Sequence, residues 1–548
     1  MFKNRNRFNH TVVIILIASI SMLMISCQQK SAITNFKVGT YYIGNMAKMD
    51  MVVSIDDISG NRLQCHLYTI DSPIAIPQHF TVRIRSKNRW IVETEDGRKC
   101  TKINGEFVND QIFCQVKGID WIAVFSPYEP DHSDFQAQYQ EPIYNTTIQK
   151  DVKYAEALGY WSSYPDEDKP FPQIYFARLG QLLQKKDIDL CMDIYEPDDI
   201  SDQLRPLIIF IHGGSFYNGD KSDEPYQRWC SHFASLGYVA ASINYRMGWS
   251  PSCTNIDAAG YRAAQDANAA IRYLTHNAYR YRINTDWVFV GGSSAGAITA
   301  LNSAFLNDDN RPNSVADEGP ISKLASDYPN PYHVAAIINM WGAVCDTAIL
   351  QDSRTSIISF HGDADDIIPY GYGYPFKGLI EKTLFDGPNR WLSSFSSITL
   401  PIFLDVSAIW DNLISPMYGS CCIDSYYKAH GYRTELHTVH GGGHSLHVDE
   451  HRNIAPYFYY IQDNVSRFLY EEMVERPIHL ERVSDFEYAI DNAEVAEVHW
   501  TAEGGVVLNS DDNSARMLFF ADKPSHMAIV SGKYRNGIEF RDEINIDE

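Results

Sequence analysis

Short, largely apolar runs alternate with helically spaced segments through the middle of the chain. The runs lie at Pro206–His212, Tyr238–Tyr245 and Trp287–Val290, and apolar residues recur at helical spacing over Ala258–Asn277. Strands of this kind are buried on both faces, which is typical of parallel sheets covered by helices. The pattern therefore predicts an α/β domain, with a mostly parallel sheet flanked by helices, from residue 150 to residue 472.

Two β-rich regions flank this domain. Residues 35–128 contain alternating runs such as Met51–Ile55 and Phe80–Ile84 with polar turns between them, which predicts an antiparallel β domain of unknown role. Residues 478–548 again predict short strands, and the spacing between Trp500 and the glycine pair that follows it resembles small immunoglobulin-like or PKD-like modules. The sequence therefore predicts a separate β-rich module at each end.

The N-terminus predicts a targeting segment. Basic residues precede an apolar run over Thr11–Ile25, which is shorter than the ~20 apolar residues of a transmembrane helix. The stretch Leu23–Cys27 resembles a bacterial lipobox, in which the cysteine is lipidated. Residues 1–27 therefore predict a lipoprotein signal peptide with Cys27 as the lipidation site, and an ordinary secretion signal is the alternative. We expect a protein of the bacterial cell envelope, at the periplasmic face or cell surface, whose lipid is its membrane contact.

Charge and cysteine content narrow the function classes. The formal net charge is −23, and no block of lysine and arginine is available to follow a phosphate backbone, so nucleic-acid binding is not expected. If Cys27 is lipidated, an odd number of the ten cysteines remains, which leaves at least one free thiol. No cysteine and histidine spacing predicts a zinc site, so we expect structural cysteines.

A nucleophile motif follows the predicted strand Trp287–Val290. Residues 292–296 (Gly-Ser-Ser-Ala-Gly) fit the pattern Gly-x-Ser-x-Gly between a strand and a helix, where a sharp turn exposes the serine. The frame selects Ser294, because centring the motif on Ser293 would place Ala295 at the second glycine position. The backbone N–H after the nucleophile and those of a glycine turn at 212–216 are expected to face an oxyanion.

The acid and base candidates follow later strands. Asp365 comes after the apolar run that ends at Phe360, and His444 comes after the predicted strand that ends near Val439. Histidine titrates near neutrality and can take and return a proton, while a carboxylate fixes its tautomer. Serine, aspartate and histidine in this order, each after a strand, are typical of the α/β-hydrolase fold. The alternatives are Asp363 and Asp366 for the acid, and His440 and His447 for the base.

Together these motifs resemble the carboxylesterase and feruloyl or acetyl-xylan esterase branch of the α/β hydrolases. The matching segments are Asp193–Pro197, His212–Gly214, Asn244–Arg246, Gly292–Ala297, His361–Pro369 and Gly443–Ser445. The resemblance implies a serine esterase with Ser294 as nucleophile, Asp365 as acid and His444 as base. It also implies that the backbone N–H groups of Gly214, Ser215 and Ala295 form the oxyanion hole; Ser215 stands where many relatives have a third glycine.

The resemblance further implies an acyl-enzyme mechanism without a metal or an organic cofactor. The expected substrates are short-acyl or aryl esters, with an acylated glycan as one candidate. One alternative is a serine peptidase of the prolyl-oligopeptidase type, but residues 35–128 are too short for its usual β-propeller. Another is a catalytically inactive binding protein of the same fold, which is expected to lack a member of the triad.

An aromatic insertion follows the acid candidate, from Gly371 to Pro416. Its side chains either pack the insertion onto the sheet or form one wall of a pocket for a sugar or aryl ring. The aromatic residues in question are Tyr372, Tyr374, Phe376, Phe385, Trp391, Phe395, Phe403 and Trp410.

Overall fold

The computed structural model describes most of the chain from residue 36 to residue 547. The gaps are 47–48, 70–73, 87–88, 95–98, 109, 117–121, 132, 134, 166–170, 200, 250–252, 326, 329–330, 352–353, 376–414, 475–476 and 492–494. The predicted signal peptide, Cys27 and the insertion aromatics other than Tyr372 and Tyr374 therefore lie outside the described residues. No helix in the described part of the chain is long and apolar enough to cross a membrane.

The chain forms two compact units, of which one comprises residues 138–475 and the other joins residues 1–137 to residues 476–548. In the latter unit, eight antiparallel strands close into a barrel in the order β1-β2-β3-β5-β6-β7-β8-β9. The strands of this region are β1 (Tyr41–Met46), β2 (Met49–Ser59), β3 (Arg62–Thr69), β4 (Ile74–Ala75), β5 (Gln78–Ser86), β6 (Arg89–Thr94), β7 (Lys99–Val108), β8 (Gln111–Val116) and β9 (Ile122–Pro127). Alternate residues of β3 are buried, as the period of a half-buried strand requires.

The unit formed by residues 138–475 is a layered α/β structure. Its strands are β10 (Thr146–Gly159), β11 (Lys186–Pro197), β12 (Arg205–Ile211), β13 (Val239–Ile243), β14 (Ile283–Ser293), β15 (Ala336–Met340), β16 (Ala343–Val344), β17 (Ser356–Gly362), β18 (Tyr372–Gly373), β19 (Met417–Gly419) and β20 (Thr434–Val439). Its α-helices are α1 (Phe171–Arg178), α2 (Glu224–Leu236), α3 (Cys253–His276), α4 (Ala278–Tyr281), α5 (Ala295–Phe305), α6 (Ser420–His430) and α7 (Pro456–Met473). Short 3₁₀ helices cover Leu179–Leu183, Asn313–Glu318 and Thr347–Ile349.

Eight of these strands form one sheet in the order β10-β11-β13-β12-β14-β15-β17-β20. The two strands at one edge, β10 and β11, pair antiparallel, and the strands from β13 to β20 pair in parallel. Central strand β12 is buried on both faces: Ile209 shares an apolar core with Ala263 of α3, while Phe210 stacks on Trp229 of α2. The mostly parallel sheet covered by helices agrees with the α/β prediction.

The C-terminal strands pack with the barrel region in one unit. They are β21 (Leu480–Arg482), β22 (Glu487–Ile490), β23 (Val495–Glu503), β24 (Gly505–Ser510), β25 (Ser514–Phe520), β26 (Met527–Tyr534) and β27 (Glu539–Asn545). Strand β4 pairs in parallel with β25, and Val52 and Tyr68 of the barrel share an apolar core with Leu518 and Phe520. The two β regions therefore share a core, whereas the sequence predicts two separate modules.

Two buried cysteines, Cys65 in β3 and Cys230 in α2, are free thiols. Burial raises the pKa of both thiols, so that they stay protonated and weakly reactive.

Candidate active site

Three predicted residues meet at the C-terminal ends of the parallel strands β14, β17 and β20. Ser294 follows β14, Asp365 follows β17 and His444 follows β20. The Nε2 atom of His444 lies 2.9 Å from the Oγ atom of Ser294, and its Nδ1 atom lies 2.7 Å from Oδ2 of Asp365. The structure therefore brings the serine, histidine and aspartate candidates together in one hydrogen-bonded chain.

The serine lies on a strained turn between β14 and α5. Its backbone has φ 56° and ψ −121°, a left-handed conformation that L-residues rarely adopt. The N–H of Ser294 donates to the carbonyl of Met340 at 2.9 Å, which ties the turn to strand β15. A Cβ atom at Gly296 would lie 2.0 Å from the carbonyl oxygen of Ile211, so only glycine permits α5 to approach β12 this closely.

Asp365 is a fully buried carboxylate with several donors. Its Oδ1 atom accepts the N–H groups of Ile367 at 2.8 Å and Ile368 at 3.0 Å. Its Oδ2 atom faces His444 and lies 3.2 Å from Nε2 of His361. Burial by itself would raise the pKa of Asp365, but hydrogen bonds from His361 and His444 outweigh it and hold this pKa well below its usual value. The carboxylate is therefore ionised throughout the neutral range.

An aromatic layer packs against the histidine of this chain. The ring of Trp341, a buried residue, lies edge-on to His444 at 6.2 Å and also packs on His447 at 5.0 Å. His447 also stacks on Trp229, at 5.7 Å between ring centroids. Burial, together with the nearby His444, lowers the pKa of His447 to about 3. His447 is thus a neutral packing residue, while His444 faces Ser294.

The remaining alternatives have other partners. Ser293 bonds through Oγ to the hydroxyl of Tyr226 at 2.8 Å. Asp363 accepts a hydrogen bond from Nδ1 of His440 at 2.8 Å. This more exposed pair joins the loop after β17 to the loop after β20. Asp366 is exposed. Of the weighed candidates, Ser294, His444 and Asp365 are joined by hydrogen bonds, with His444 between the other two.

The glycine turn after β12 passes directly beside the serine. A Cβ atom at Gly213 would lie 3.5 Å from Cβ of Ser294. The next three residues, Gly214, Ser215 and Phe216, have φ values of 100°, 56° and 55°. This strained conformation is held by Nε1 of Trp249, which donates to the carbonyl of Ser215 at 2.8 Å.

The predicted oxyanion donors are backbone N–H groups at this turn and at the start of α5. Within the described residues, the N–H groups of Gly214, Ser215 and Ala295 have no hydrogen-bond acceptor. By contrast, the N–H of Gly213 donates to Tyr226 at 3.0 Å. Tyr226 therefore links the turn to Ser293, and the three unpaired N–H groups are available to a substrate oxygen.

A largely apolar cavity of about 330 Å³ lies beside the glycine turn and α5, and its described lining includes neither the triad candidates nor the oxyanion candidates. It begins at Phe216, beside the glycine turn, and continues along α5 at Ile298, whose N–H donates to the carbonyl of Ser294. Its lining also includes Met417 of β19. In the part of the chain that the structure describes, no group of three His, Cys, Asp or Glu side chains is arranged to hold a metal ion.

Sequence reasoning did not assign roles to three residues near the site. His361 appears in the motif that contains Asp365, but nothing in the motif shows that it faces the carboxylate. Tyr226 and Ser420 are remote in sequence from the residues they contact, Ser293 and His361. A single sequence gives no signal for such long-range pairs.

Parts of the chain are similar to known proteins. Residues 192–356 match the BD-FAE family model, a range that contains Ser294 and ends before Asp365. The chain is 29% identical to gut esterase 1 of Caenorhabditis briggsae over 110 residues, covering 20% of this chain and 19% of that protein. It is 30% identical to carboxylesterase 1C of Rattus norvegicus over 154 residues, covering 27% and 28%.

Another relative is the neuroligin-like protein glit-1 of Caenorhabditis elegans, which is 32% identical over 177 residues, covering 31% of this chain and 23% of that protein. The chain thus spans less than a third of each of these relatives. The structure of Thermogutta terrifontis esterase 2 phosphorylated by paraoxon is similar with a TM-score of 0.34 and 19% identity, covering 52% of this chain and 89% of that one.

The strand order, the turn that carries Ser294 and the family match together define the unit of residues 138–475 as an α/β-hydrolase domain. The predicted fold of this domain is confirmed.

Proposed function

We propose that this protein is a serine carboxylic-ester hydrolase. The observation that carries the proposal is the chain of hydrogen bonds from Asp365 through His444 to Ser294, at 2.7 and 2.9 Å. A nucleophile, a base and a group that orients the base are the parts that acyl transfer requires. The esterase names among the partial relatives support the same reaction.

The proposed reaction proceeds through an acyl-enzyme. The Oγ atom of Ser294 attacks the ester carbonyl while Nε2 of His444 takes the hydroxyl proton. The carbonyl oxygen becomes negative and accepts hydrogen bonds from the N–H groups of Gly214, Ser215 and Ala295. His444 returns the proton to the departing alcohol, and water activated by the same histidine then releases the acid. Asp365 stays ionised and stabilises the imidazolium in both steps.

We propose short-acyl or aryl esters as the substrates. The cavity of about 330 Å³ that begins at Phe216 is near the lower end of the roughly 300–1,000 Å³ range of ligand sites. A cavity of this volume suits an aryl ring or a short acyl chain. An acylated glycan of the feruloyl or acetyl-xylan type is the natural substrate that the sequence resemblance favours.

An ester series tests this assignment. Purified protein is assayed with 4-nitrophenyl acetate, butyrate, octanoate and decanoate, with a methyl ferulate and an acetylated xylan, and with a proline-containing peptide. We expect kcat/KM to fall beyond about eight acyl carbons, because the cavity is short. Ser294→Ala is the matched control, and a fluorophosphonate should label Ser294 in the wild type.

Each rival function has a distinct result in these assays. Cleavage of the peptide with no ester turnover would indicate the peptidase. Absence of turnover and of labelling at Ser294 would indicate the inactive binding protein. A kcat/KM that rises with chain length would contradict the short-acyl substrate.

We also propose that the mature protein is lipid-anchored through Cys27, in the bacterial envelope. The lipobox resemblance of Leu23–Cys27 supports this. Intact mass of protein extracted from membranes should show a lipidated N-terminal cysteine, and Cys27→Ser should release soluble protein. An unmodified N-terminus at another residue would contradict the anchor.

A further inference from the structure

His361 is a buried histidine that the proposed mechanism does not use. It lies in β17, four residues before Asp365, and its side chain has no exposed surface. Its Nε2 atom lies 3.2 Å from Oδ2 of Asp365 and 3.2 Å from the carbonyl oxygen of Ile368. Its Nδ1 atom lies 2.7 Å from Oγ of Ser420, the first residue of α6. Both ring nitrogens are therefore in contact with polar partners.

These contacts determine where the proton of the ring lies. Both neighbours of Nε2 are acceptors, so Nε2 carries the proton and shares it between Asp365 and the Ile368 carbonyl. On the other side, Oγ of Ser420 accepts from Nδ2 of Asn339 at 3.0 Å and is free to donate its own proton to Nδ1. The Asn339 amide is itself oriented, because its Oδ1 accepts the N–H of Gly342 at 3.0 Å.

The result is a directed chain of donors that ends at the carboxylate. Asn339 donates to Ser420, Ser420 donates to His361, and the Nε2–H of His361, which donates to the carbonyl of Ile368, also lies against Oδ2 of Asp365 at 3.2 Å. The side chains of this hydrogen-bonded series are all buried, so water does not supply a replacement donor. A buried carboxylate that loses one partner bears a desolvation cost, which makes each donor consequential.

We propose that His361 is a positioning residue for catalysis: its Nε2–H holds the carboxylate of Asp365 in the orientation in which Oδ2 meets His444. The inference rests on the proposed ester hydrolysis. His361 touches neither Ser294 nor the expected substrate groups, and it acts through Asp365.

The surroundings of the carboxylate are simple enough for a pH test. Among the described residues, the titratable groups that face Asp365 are His361 and His444. The ring of Tyr370 lies edge-on to His361 at 5.6 Å, but its hydroxyl bonds to Thr438 at 2.7 Å. Ser420 and Asn339 are neutral. A change in the pH profile after substitution of His361 therefore reports on the pair of Asp365 and His444.

The test compares substitutions that keep or remove the donor. His361→Gln retains an N–H near the position of Nε2, whereas His361→Phe fills the space without a donor. We expect H361F to lower kcat for 4-nitrophenyl acetate about ten- to a hundredfold, the effect of losing a hydrogen bond to a charged group, with little change in KM. We expect H361Q to stay within about threefold of wild type.

The acid limb of kcat/KM should move to higher pH in H361F. A carboxylate with one donor fewer holds protons more readily and also stabilises a protonated His444, and both effects act in the same direction. The limb should stay in place in H361Q. His437→Phe on the neighbouring strand β20 is the control, because His437 contacts Glu435 and Tyr460 instead of Asp365.

The inference is overturned if H361F has the kcat and the acid limb of the wild type. It is also overturned if H361F and H361Q lose the same activity while the acid limb of kcat/KM stays at the wild-type pH, because that result indicates a packing role for His361. If H361F does not fold, as judged by thermal melting, His361→Met replaces it, since it matches glutamine in length and lacks a donor. Fluorophosphonate labelling separates the two proposals. An unlabelled wild type refutes the esterase itself, whereas wild-type labelling rates in the folded donor-free variant refute the role of His361 alone.

Discussion

Two histidine–aspartate pairs lie on the loops after β17 and β20, and their geometry is nearly the same. The inner pair joins His444 to Asp365 at 2.7 Å, and the outer pair joins His440 to Asp363 at 2.8 Å. Their surroundings differ greatly. The side chains of His444 and Asp365 are 16% and 0% exposed, whereas those of His440 and Asp363 are 89% and 33% exposed.

The difference shows that the same pair geometry occurs both with and without a serine partner for the histidine. The inner pair has Ser294 on the far nitrogen of the histidine and a buried, fully bonded carboxylate. In the outer pair, Asp363 also accepts the N–H of Gly441 at 2.6 Å, which connects the two loops. Water screens an exposed pair, so that its attraction contributes little. We infer that the outer pair connects the two loops, whereas the inner pair is the one that the proposed mechanism uses.

The largest expected effect comes from the serine, which contacts one of the two pairs. Ser294→Ala should lower kcat for aryl acetate by about a million-fold, the order seen when a triad serine is removed. Ser293→Ala, which leaves the chain to His444 intact, should cost at most about tenfold, through the lost hydrogen bond to Tyr226. Steady-state kinetics with mass-spectrometric mapping of a fluorophosphonate adduct measures both. An adduct on Ser293 would contradict the assignment.

Replacing each histidine by alanine compares the two pairs directly. His444→Ala should approach the loss caused by Ser294→Ala, because base and nucleophile act as a unit. His440→Ala should change kcat by no more than about threefold, since its ring is exposed and its ion pair is screened. Equal losses in the two variants would show that the outer pair takes part in catalysis.

Replacing the two carboxylates should give a smaller difference in kcat than replacing the two histidines. Asp365→Asn should lower kcat by about ten-thousand-fold, because the amide favours the wrong tautomer of His444. Asp363→Asn should cost no more than about threefold, and its pH profile should be unchanged. If Asp363→Asn were the more damaging change, the acid would have been assigned two residues too far along the loop.

The sequence predicts the sheet and the triad for a common reason. Parallel strands buried on both faces appear as unbroken apolar runs, so the run Pro206–His212 marks β12 (Arg205–Ile211), whose residues are all buried. Each reactive side chain then follows the end of such a strand. By contrast, strand β10 is not predicted as a strand, because bulges after Gln149 and Lys153 break its alternation.

Long-range contacts are the features that the sequence does not reveal. The pairing of β4 with β25 joins segments from opposite ends of the chain, through only two residue pairs. The partners of His361 are similarly distant, since Ser420 lies 59 residues further along. The outer and inner pairs also look alike in sequence, because burial, which separates them, is a property of the folded loops.

The smallest expected effect concerns acid stability, and it compares the two carboxylates again. Hydrogen bonds lower the pKa of Asp365 despite its burial, and the hydrogen bond from His440 lowers that of Asp363. A carboxyl with a lowered pKa in the folded state stabilises it above the ordinary pKa of about 4. That contribution is lost as the pH falls from about 4 through the folded-state value, because the unfolded chain then binds more protons.

Asp365→Asn should therefore melt at a lower temperature than wild type at pH 7, and the difference should narrow as the pH falls below about 4. The asparagine cannot take up a proton, so the variant lacks this part of the acid sensitivity. For Asp363→Asn the melting temperature should stay close to that of wild type at every pH, since solvent screens the exposed pair. Calorimetric scans from pH 7 to pH 3 at a fixed rate measure both series. A pH-independent gap for Asp365→Asn would mean that its carboxylate gains nothing from its donors on folding, and the contrast between the two pairs would then rest on catalysis alone.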